Sequence, residues 1–353
     1  MLTLAVGCST TGYSLQYEVD EATATIWPPP PEIPRYRYVG ELTGEGNLAE
    51  DQDSKGFGSK IADFFKMLLG ISGPNPEPLV LQRPQTGTVD NEGRILVTDV
   101  SRHSVIIFDI AGGLITEWDS ATPNINFVTP VGITIGKNNT ILVVDADLKL
   151  VAQMDRDGKS VNLFGADVLM RPTGIARDDK TGRIYVSDTH AHNIKVFNDA
   201  GELVDTIGKR GTNIGEFNAP THIAFANDNL YVTDTFNTRV QILTPKGEAK
   251  KQFGERGLFV GNLVRPKGVT SDSEGNIYVV ESFHDHLLIY NLNGEFLLPI
   301  GGTGTEIGQF YLPAGVWADN NDRIYIADMF NGRVVILQYL GGKFRNRTLQ
   351  KTK

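Results

Sequence analysis

The feature that most constrains this chain is a segment that recurs every 43 to 47 residues. Its clearest copy begins at Pro172-Thr-Gly-Ile-Ala and continues to Ile184-Tyr-Val-Ser-Asp188. An acidic residue closes the second apolar run of every copy: Asp99, Asp145, Asp188, Asp234, Glu281 and Asp328. A fixed period of this size is typical of a repeat architecture, because each unit is one supersecondary element that must stack on its neighbours.

Each copy contains three or four short runs rich in Val, Ile, Tyr and Phe. Turn residues such as Asp178-Asp-Lys-Thr-Gly182 and Ser273-Glu-Gly275 separate these runs, which indicates antiparallel strands joined by hairpins. Four strands in a unit of roughly 40–50 residues form a propeller blade. The six copies therefore predict an all-β, six-bladed β-propeller over residues 35–340. A solenoid is the alternative repeat fold, but it needs distinct capping repeats at both ends.

The two ends of the repeat region are predicted to join. The third copy has an outer strand at Glu202-Leu-Val-Asp-Thr-Ile-Gly208, whereas the sixth copy stops after Arg333-Val-Val-Ile-Leu-Gln-Tyr339. An apolar run of the right kind lies at residues 35–42, ahead of the first copy. We expect this N-terminal strand to complete the sixth blade and to close the ring, which removes open sheet edges.

The repeated motifs carry a resemblance to a known family. Pro-x-Gly-Ile/Val, Ile-Tyr-Val-x-Asp and Asn-x-Arg-Val/Ile resemble the NHL repeat of six-bladed propellers, the last motif most closely at Asn237-Thr-Arg239 and Asn331-Gly-Arg333. The resemblance covers residues 35–42 and about 80–340, and it is closest in blades three to six. It implies the fold, but this fold serves many roles. Relatives include RNA- and protein-binding modules, sensor domains and a zinc-dependent lyase of amidated-peptide maturation.

The N-terminal residues predict a lipid anchor. Leu4-Ala5-Val6-Gly7-Cys8 resembles a bacterial lipobox, so residues 1–8 are interpreted as the remnant of a lipoprotein signal with Cys8 as the lipidated residue. A chance apolar start is the alternative. Residues 9–34, which include Pro28-Pro-Pro-Pro31, are expected to form a tether. We therefore expect a protein anchored in the bacterial cell envelope, with contact to the membrane only through the lipid.

Two further segments depart from the repeat. Residues 43–82 form an unusually long link in which Ile61, Phe64, Phe65, Leu68 and Leu69 recur at helical spacing, which predicts one short amphipathic helix. We expect that helix to pack on the propeller rather than to act as a lid. Residues 341–353 are a basic tail to which we assign no function.

Charge and cysteine content exclude several kinds of partner and site. The net charge is −9, which argues against a nucleic-acid partner because phosphate contact needs a basic surface. Cys8 is the single cysteine, so the chain forms no intrachain disulfide and no cysteine-based zinc cluster. We expect a monomer.

The candidate site lies on one face of the predicted ring. The loop between strands two and three of a blade shares a face with the link to the next blade, and all six histidines map there or beside it. Three phenylalanines sit two residues past their acidic residue, in the position that His190 occupies in blade three. The candidate ligand-binding residues are His190, His192, His222, Phe236, Phe283, His284, His286 and Phe330. Convergent polar groups over an apolar floor are a common form of binding site.

Two functions remain open. A rigid ring with variable loops suits a non-enzymatic binding module for a protein, peptide or glycan. The alternative is a metal-dependent lyase or hydrolase, with zinc or calcium, resembling peptidyl-hydroxyglycine lyase or propeller lactonases. That lyase family places zinc-binding histidines in a Pro-x-His position of several blades, which only Pro220-Thr-His222 matches here. Glycine occupies the matching position at Gly132, Gly174, Gly268 and Gly315. His222 is thus the one weak metal candidate, and no catalytic residue is assigned.

Overall fold

The sequence period corresponds to six antiparallel sheets in the computed structural model, which describes residues 13–50, 78–342 and 344. Five of these sheets have four strands in sequential order, and the sixth has five. The six-bladed, all-β fold predicted from the repeats is confirmed, and within the described residues the helical elements are short turns.

Each blade has strands called A, B, C and D, in order from the central axis outward. Blade 1 is formed by β5 (Pro84–Val89), β6 (Ile95–Asp99), β7 (Ser104–Asp109) and β8 (Leu114–Trp118). Blade 2 is formed by β11 (Pro130–Ile135), β12 (Ile141–Asp145), β13 (Leu150–Met154) and β14 (Ser160–Phe164). Blade 3 is formed by β15 (Pro172–Asp178), β16 (Arg183–Asp188), β17 (Asn193–Phe197) and β18 (Leu203–Ile207).

The remaining blades follow the same plan. Blade 4 is formed by β19 (Pro220–Ala226), β20 (Asn229–Asp234), β21 (Arg239–Leu243) and β22 (Ala249–Phe253). Blade 5 is formed by β23 (Pro266–Ser271), β24 (Ile277–Glu281), β25 (His286–Tyr290) and β26 (Phe296–Gly301). Blade 6 contains β27 (Val316–Ala318), β28 (Arg323–Asp328) and β29 (Arg333–Tyr339) from the C-terminal end of the repeats. A small hairpin, β9 (Ser120–Thr122) and β10 (Ile125–Asn126), lies in the link between blades 1 and 2.

The outer strand of blade 6 comes from the N-terminal part of the chain. Strand β3 (Tyr36–Leu42) pairs antiparallel with β29, from Leu42 opposite Val334 to Tyr36 opposite Tyr339. The amide of Leu340 also donates a hydrogen bond of 2.7 Å to the carbonyl of Arg35. The predicted closure of the ring by residues 35–42 is therefore confirmed, within one residue at the start of the strand.

Residues 13–34 differ from the tether that their composition suggests. Strand β2 (Ile26–Trp27) pairs with β3 and becomes a fifth strand of blade 6, and β1 (Tyr13–Leu15) pairs with β4 (Leu48–Glu50). Arg323 donates to Glu18 at 2.6 Å and to the Tyr17 hydroxyl at 2.9 Å. This part of the segment lies on the propeller because its few apolar and aromatic residues find partners there. Cys8 lies outside the described residues.

The core consists of the sheet faces that neighbouring blades bury against each other. Strand B is buried along its whole length in blades 1, 2 and 5, as in Ile141–Asp145, because both of its faces are covered. Strand D is largely open to solvent, as in Leu203–Ile207. Apolar clusters therefore join residues of adjacent blades, for example Tyr185 of blade 3 with Phe217 and Leu230 at blade 4.

The acidic residue at the end of strand B fixes the loops on one face. Asp99 accepts hydrogen bonds from the amides of Ser101 and Arg102 in the next loop, at 3.0 and 3.1 Å. It also accepts from the amides of Gln82 and Arg83 in the link that precedes strand A, at 2.7 and 2.9 Å. The Asp99 carboxylate therefore holds two loops together.

The predicted helical insertion falls mainly on residues 51–77, which lie outside the described residues, as does most of the tail 341–353. The ends of the insertion are joined to each other, because Glu45 donates to the Leu79 carbonyl at 2.9 Å and Leu81 donates to the Thr43 carbonyl at 2.8 Å. Short 3-10 turns occur at Glu45–Asn47, Lys137–Asn139, Thr235–Asn237 and Met329–Asn331. No helix in the described part of the chain has the length and apolarity to cross a membrane.

Candidate functional site

Two kinds of loop form the face of the ring on which the candidate residues lie. These are the B–C loops within the blades (100–103, 146–149, 189–192, 235–238, 282–285 and 329–332) and the D–A links between blades. We call this side the upper face, and the side formed by the A–B and C–D turns the lower face. His103, His190, His192 and His284 lie in B–C loops, and His286 begins strand C beside its loop.

Most of these histidines have structural partners. The ring of His192 accepts a hydrogen bond of 3.0 Å from the Ala219 amide, and the His103 ring contacts the Val128 carbonyl, so both join a B–C loop to the next link. His284 lies 2.9 Å from the carboxylate of Glu281, and the His286 ring contacts the carbonyl of His284. His190 is exposed. The histidines share a face, but several of them are committed to loop structure.

His222 occupies a different place, at the upper end of the central channel. Its Nδ1 lies 3.2 Å from the Thr221 hydroxyl, and its side chain lines a cavity of about 160 Å³ between the innermost strands. Burial, followed by the positive charge of Lys267, lowers the pKa of His222 to about 3, so the imidazole is neutral at physiological pH.

The described residues do not place a metal-binding group around His222. Within residues 13–50, 78–342 and 344, no three His, Cys, Asp or Glu side chains cluster as metal ligands. The glycine at the matching position in blades 2, 3, 5 and 6 has a physical reason. A Cβ at Gly174 would lie 2.8 Å from the Thr221 carbonyl oxygen, and one at Gly132 would lie 2.6 Å from the Thr173 carbonyl oxygen. Neighbouring A strands therefore approach too closely for a side chain there.

The three phenylalanines are exposed rather than buried between blades. Phe236, Phe283 and Phe330 are 72%, 52% and 48% exposed. The Phe330 ring makes an edge contact with Tyr311 at 5.5 Å between centroids, and Phe283 makes one with His284 at 5.0 Å. Exposed aromatic rings at equivalent positions on one face provide the apolar contact area typical of binding surfaces.

Sequence reasoning missed two groups of residues on the same face. Leu258 and Phe259, in the link between blades 4 and 5, are 80% and 83% exposed. Three cations flank the channel: Arg83 and Arg265 immediately before strand A of blades 1 and 5, and Lys267 as the second residue of strand A in blade 5. A comparison of the residues directly before and after the repeated proline in each copy would have indicated these cations.

The carboxylates at the ends of the B strands are used to hold the fold together. The carboxylates that close strand B are buried and engaged with loop amides or with arginine, as Asp234 is with Arg239 at 2.8 Å. The exposed groups on this face include aromatic rings and cations, which recognise ligands without bond-making chemistry.

Comparisons with known proteins agree with this fold. The family model described as the NHL repeat matches residues 169–197, and no curated protein matches the chain. Among solved structures, virginiamycin B lyase from Staphylococcus aureus has a TM-score of 0.56 at 14% identity, over 93% of this chain and 100% of that chain. A streptogramin B lyase has a TM-score of 0.57 at 14% identity, over 94% of this chain and 100% of that chain.

A binding protein has the same degree of similarity. An auxiliary nutrient binding protein from Bacteroides ovatus has a TM-score of 0.57 at 15% identity, over 75% of this chain and 71% of that chain. At such identities the similarity shows the fold and leaves the activity open. The matched repeat and the six sheets together identify this chain as a six-bladed β-propeller that carries an NHL repeat.

Proposed function

We propose that this propeller is a binding module whose upper face recognises a protein, peptide or glycan ligand. The observation that carries the proposal is the set of exposed aromatic rings at equivalent loop positions on that face, Phe236, Phe283 and Phe330. Their loops are held by buried hydrogen bonds, as in the contact of 2.7 Å between the Tyr311 amide and Asp328. A preformed surface loses little conformational entropy when the ligand binds.

The test selects ligands of the parent protein from a peptide-display library and a glycan array. It then compares the affinity of two variants for those ligands. The upper-face variant carries Phe236→Ala, Phe283→Ala and Phe330→Ala. The lower-face control carries Lys180→Ala and Asp228→Ala, which removes an exposed ion pair of little energetic consequence. We expect the upper-face variant to lose at least about tenfold in affinity and the control to retain it. Equal losses, or loss in the control alone, would reject the proposal.

A metal-dependent lyase or hydrolase is the second candidate, supported by the neutral imidazole of His222 at the channel. Zinc accepts neutral imidazole as a ligand, and the remaining ligands would have to come from outside the described residues or from the substrate. Metal analysis of the purified chain separates the two functions. Stoichiometric zinc or calcium that is lost in His222→Ala would favour the enzyme over the binding module.

We also propose that the protein is a monomer anchored to the bacterial cell envelope through a lipid on Cys8. The support is the small-residue motif before this cysteine. Metabolic labelling with a fatty acid should mark the parent protein but not Cys8→Ala. Equal labelling of both proteins would reject the anchor.

A further inference from the structure

Three cations of the upper face lie beside the central channel, on the two blades that flank blade 6. Arg83 precedes β5 of blade 1, whereas Arg265 and Lys267 bracket the first residue of β23 in blade 5. Strand β27 of blade 6 packs between β5 and β23, so blades 5, 6 and 1 are consecutive around the axis. Blade 6 contributes uncharged Leu312 and Ala314 at the corresponding positions. The positively charged side chains of blades 5 and 1 therefore lie on either side of the uncharged positions of blade 6.

An internal comparison shows that these cations have no counter-ion within the described part of the chain. Arg171 occupies the position of Arg83 and Arg265 in blade 3, and it pairs with Asp147 at 2.8 Å. Within the described residues, Arg83, Arg265 and Lys267 form no ion pair. They lack one although acidic residues exceed basic residues in the chain, 42 to 33.

The nearby carboxylates are engaged elsewhere. Glu281 accepts from the Arg265 amide at 2.6 Å and from the His284 amide at 2.8 Å, and it also contacts the His284 ring. Asp99 is bonded to four loop amides. Asp328 accepts from Arg333 at 2.8 Å. With respect to the residues that the structure describes, the side-chain cations beside the channel are thus open to an anion from solution.

Desolvation makes such a partner favourable. The Lys267 side chain is half-buried, and burial lowers its pKa, with the positive charges of Arg265 and Arg83 lowering it further. A bound anion would compensate both effects, because an opposite charge restores the stability of a buried ammonium.

Aromatic rings lie next to these cations. The Arg83 guanidinium stacks over Phe330 at 5.2 Å from the ring centroid, and Phe330 in turn contacts Tyr311. Stacking fixes the guanidinium plane and leaves its edge free for paired hydrogen bonds. An anionic group and an apolar body attached to it would both find contacts here.

We propose that the ligand of the upper face carries an anionic group joined to an apolar group, and that the anion binds at Arg83, Arg265 and Lys267. This inference rests on the proposed binding function and names the chemical class of its ligand. A carboxylate and a phosphate share the required chemistry, since arginine forms paired bonds to either. A carboxylate source would be a peptide C-terminus, an acidic side chain or an acidic sugar.

The experiment compares a carboxylate with its neutral amide, which differ only in the charged group, and adds an aromatic phosphate. N-acetylphenylalanine, its neutral amide and phenyl phosphate are titrated into the full chain at low ionic strength by calorimetry or nuclear magnetic resonance. We expect an anion to bind at least about tenfold more tightly than the amide, because a charge-assisted pair contributes more than a neutral hydrogen bond. The tighter of the two anions identifies the source.

Matched variants test where the anion binds. Arg265→Gln with Lys267→Met should remove the preference for the anion. Lys149→Met with Arg210→Gln removes the same charge from exposed positions of the upper face and should retain the preference. Arg265→Gln alone, at an exposed residue, serves if the double variant fails to fold.

The outcomes separate the two proposals. Equal binding of the acid, the phosphate and the amide, or an unchanged preference in the Arg265 and Lys267 variants, would overturn the anion site. If the phenylalanine variant still loses the selected ligands, the upper face remains the binding surface. If those ligands bind the phenylalanine variant normally while the anion preference depends on Lys267, the proposed function fails and the anion site stands alone.

Discussion

At the residue scale, the propeller depends on buried charged side chains whose hydrogen-bonding groups all have partners. Arg239 donates to Asp234 at 2.8 Å and to the carbonyls of Thr212, Asn213 and Glu216 at 2.8, 2.9 and 2.9 Å. Asp234 is fully buried. This one guanidinium therefore joins strand C of blade 4 to the link that precedes the blade, and Arg333 does the same in blade 6.

Arg239→Met should destabilise the fold strongly. The substitution leaves the buried Asp234 carboxylate without its cationic partner and removes one donor from each of three carbonyls, which costs about 3–5 kcal/mol. Urea unfolding measures this change. Arg156→Met is the control, because Arg156 pairs with Glu92 on the surface, where such pairs contribute at most about 1 kcal/mol. Similar losses in the two variants would contradict a special role for the buried pair.

His222 predicts a specific dependence of stability on pH. Its pKa falls from 6.5 to about 3 on folding, so the unfolded chain binds a proton between these values that the folded chain does not. This residue therefore destabilises the fold as pH falls below 6.5, down to about 3. Thermal unfolding of His222→Gln should show a weaker loss of stability over this range than the parent does. Parallel curves for the two proteins would mean that the imidazole becomes protonated in the folded state.

At the element scale, the A strands decide how closely the blades approach. Their third position is glycine in blades 2, 3, 5 and 6, and at Gly315 a Cβ would lie 2.3 Å from the Gln85 carbonyl oxygen of blade 1. Backbone contact of this kind sets the narrow diameter of the channel. It also explains why zinc-binding histidines could not occupy this position around the ring without a wider channel.

Gly174→Ala tests this account. The new methyl group would meet the Thr221 carbonyl oxygen at 2.8 Å and the Ile223 nitrogen at 2.9 Å, and the backbone of blade 4 would have to move. We expect a loss of about 1–3 kcal/mol in the free energy of unfolding. Gly46→Ala is the control, since its Cβ would meet only Thr43 Oγ1 at 3.6 Å. A neutral effect at Gly174 would show that the interface between these blades can adjust.

The strands could be predicted from sequence because their periodicity repeats six times, whereas features that occur once could not. Ile26 and Trp27 form a strand on blade 6, but two apolar residues before Pro28 carry no repeat signal. The cations beside the channel show the same limit. The sequence places Arg83, Arg171 and Arg265 in one register, but only the structure shows that Arg171 has a carboxylate partner, whereas Arg83 and Arg265 have none among the residues described.

At the scale of the whole molecule, closure of the ring gives every blade two neighbours. An open array of repeats can lose its end repeats one at a time, because each repeat contacts only the units beside it. Here β3 supplies the last strand of blade 6 and lies near the start of the chain, so the two ends stabilise each other. The upper face depends on this closure, since its cations come from blades 5 and 1 on either side of blade 6.

Deletion of residues 1–43 should abolish cooperative unfolding. It removes β3, whose Tyr36, Tyr38 and Leu42 are buried, and it exposes the paired edge of β29. Deletion of residues 1–33 is the control, because it retains β3 although it removes β1, β2 and the contacts of Tyr17 and Glu18 with Arg323. The tryptophans present in all three proteins are Trp317 in blade 6 and Trp118 in blade 1, so their fluorescence reports on the blades at the closure, while far-ultraviolet circular dichroism reports on all blades. In the parent and the shorter deletion the two signals should change together in urea, although the shorter deletion should unfold earlier. A sharp, coincident transition in the chain that lacks residues 1–43 would show that the blades hold together without the closing strand.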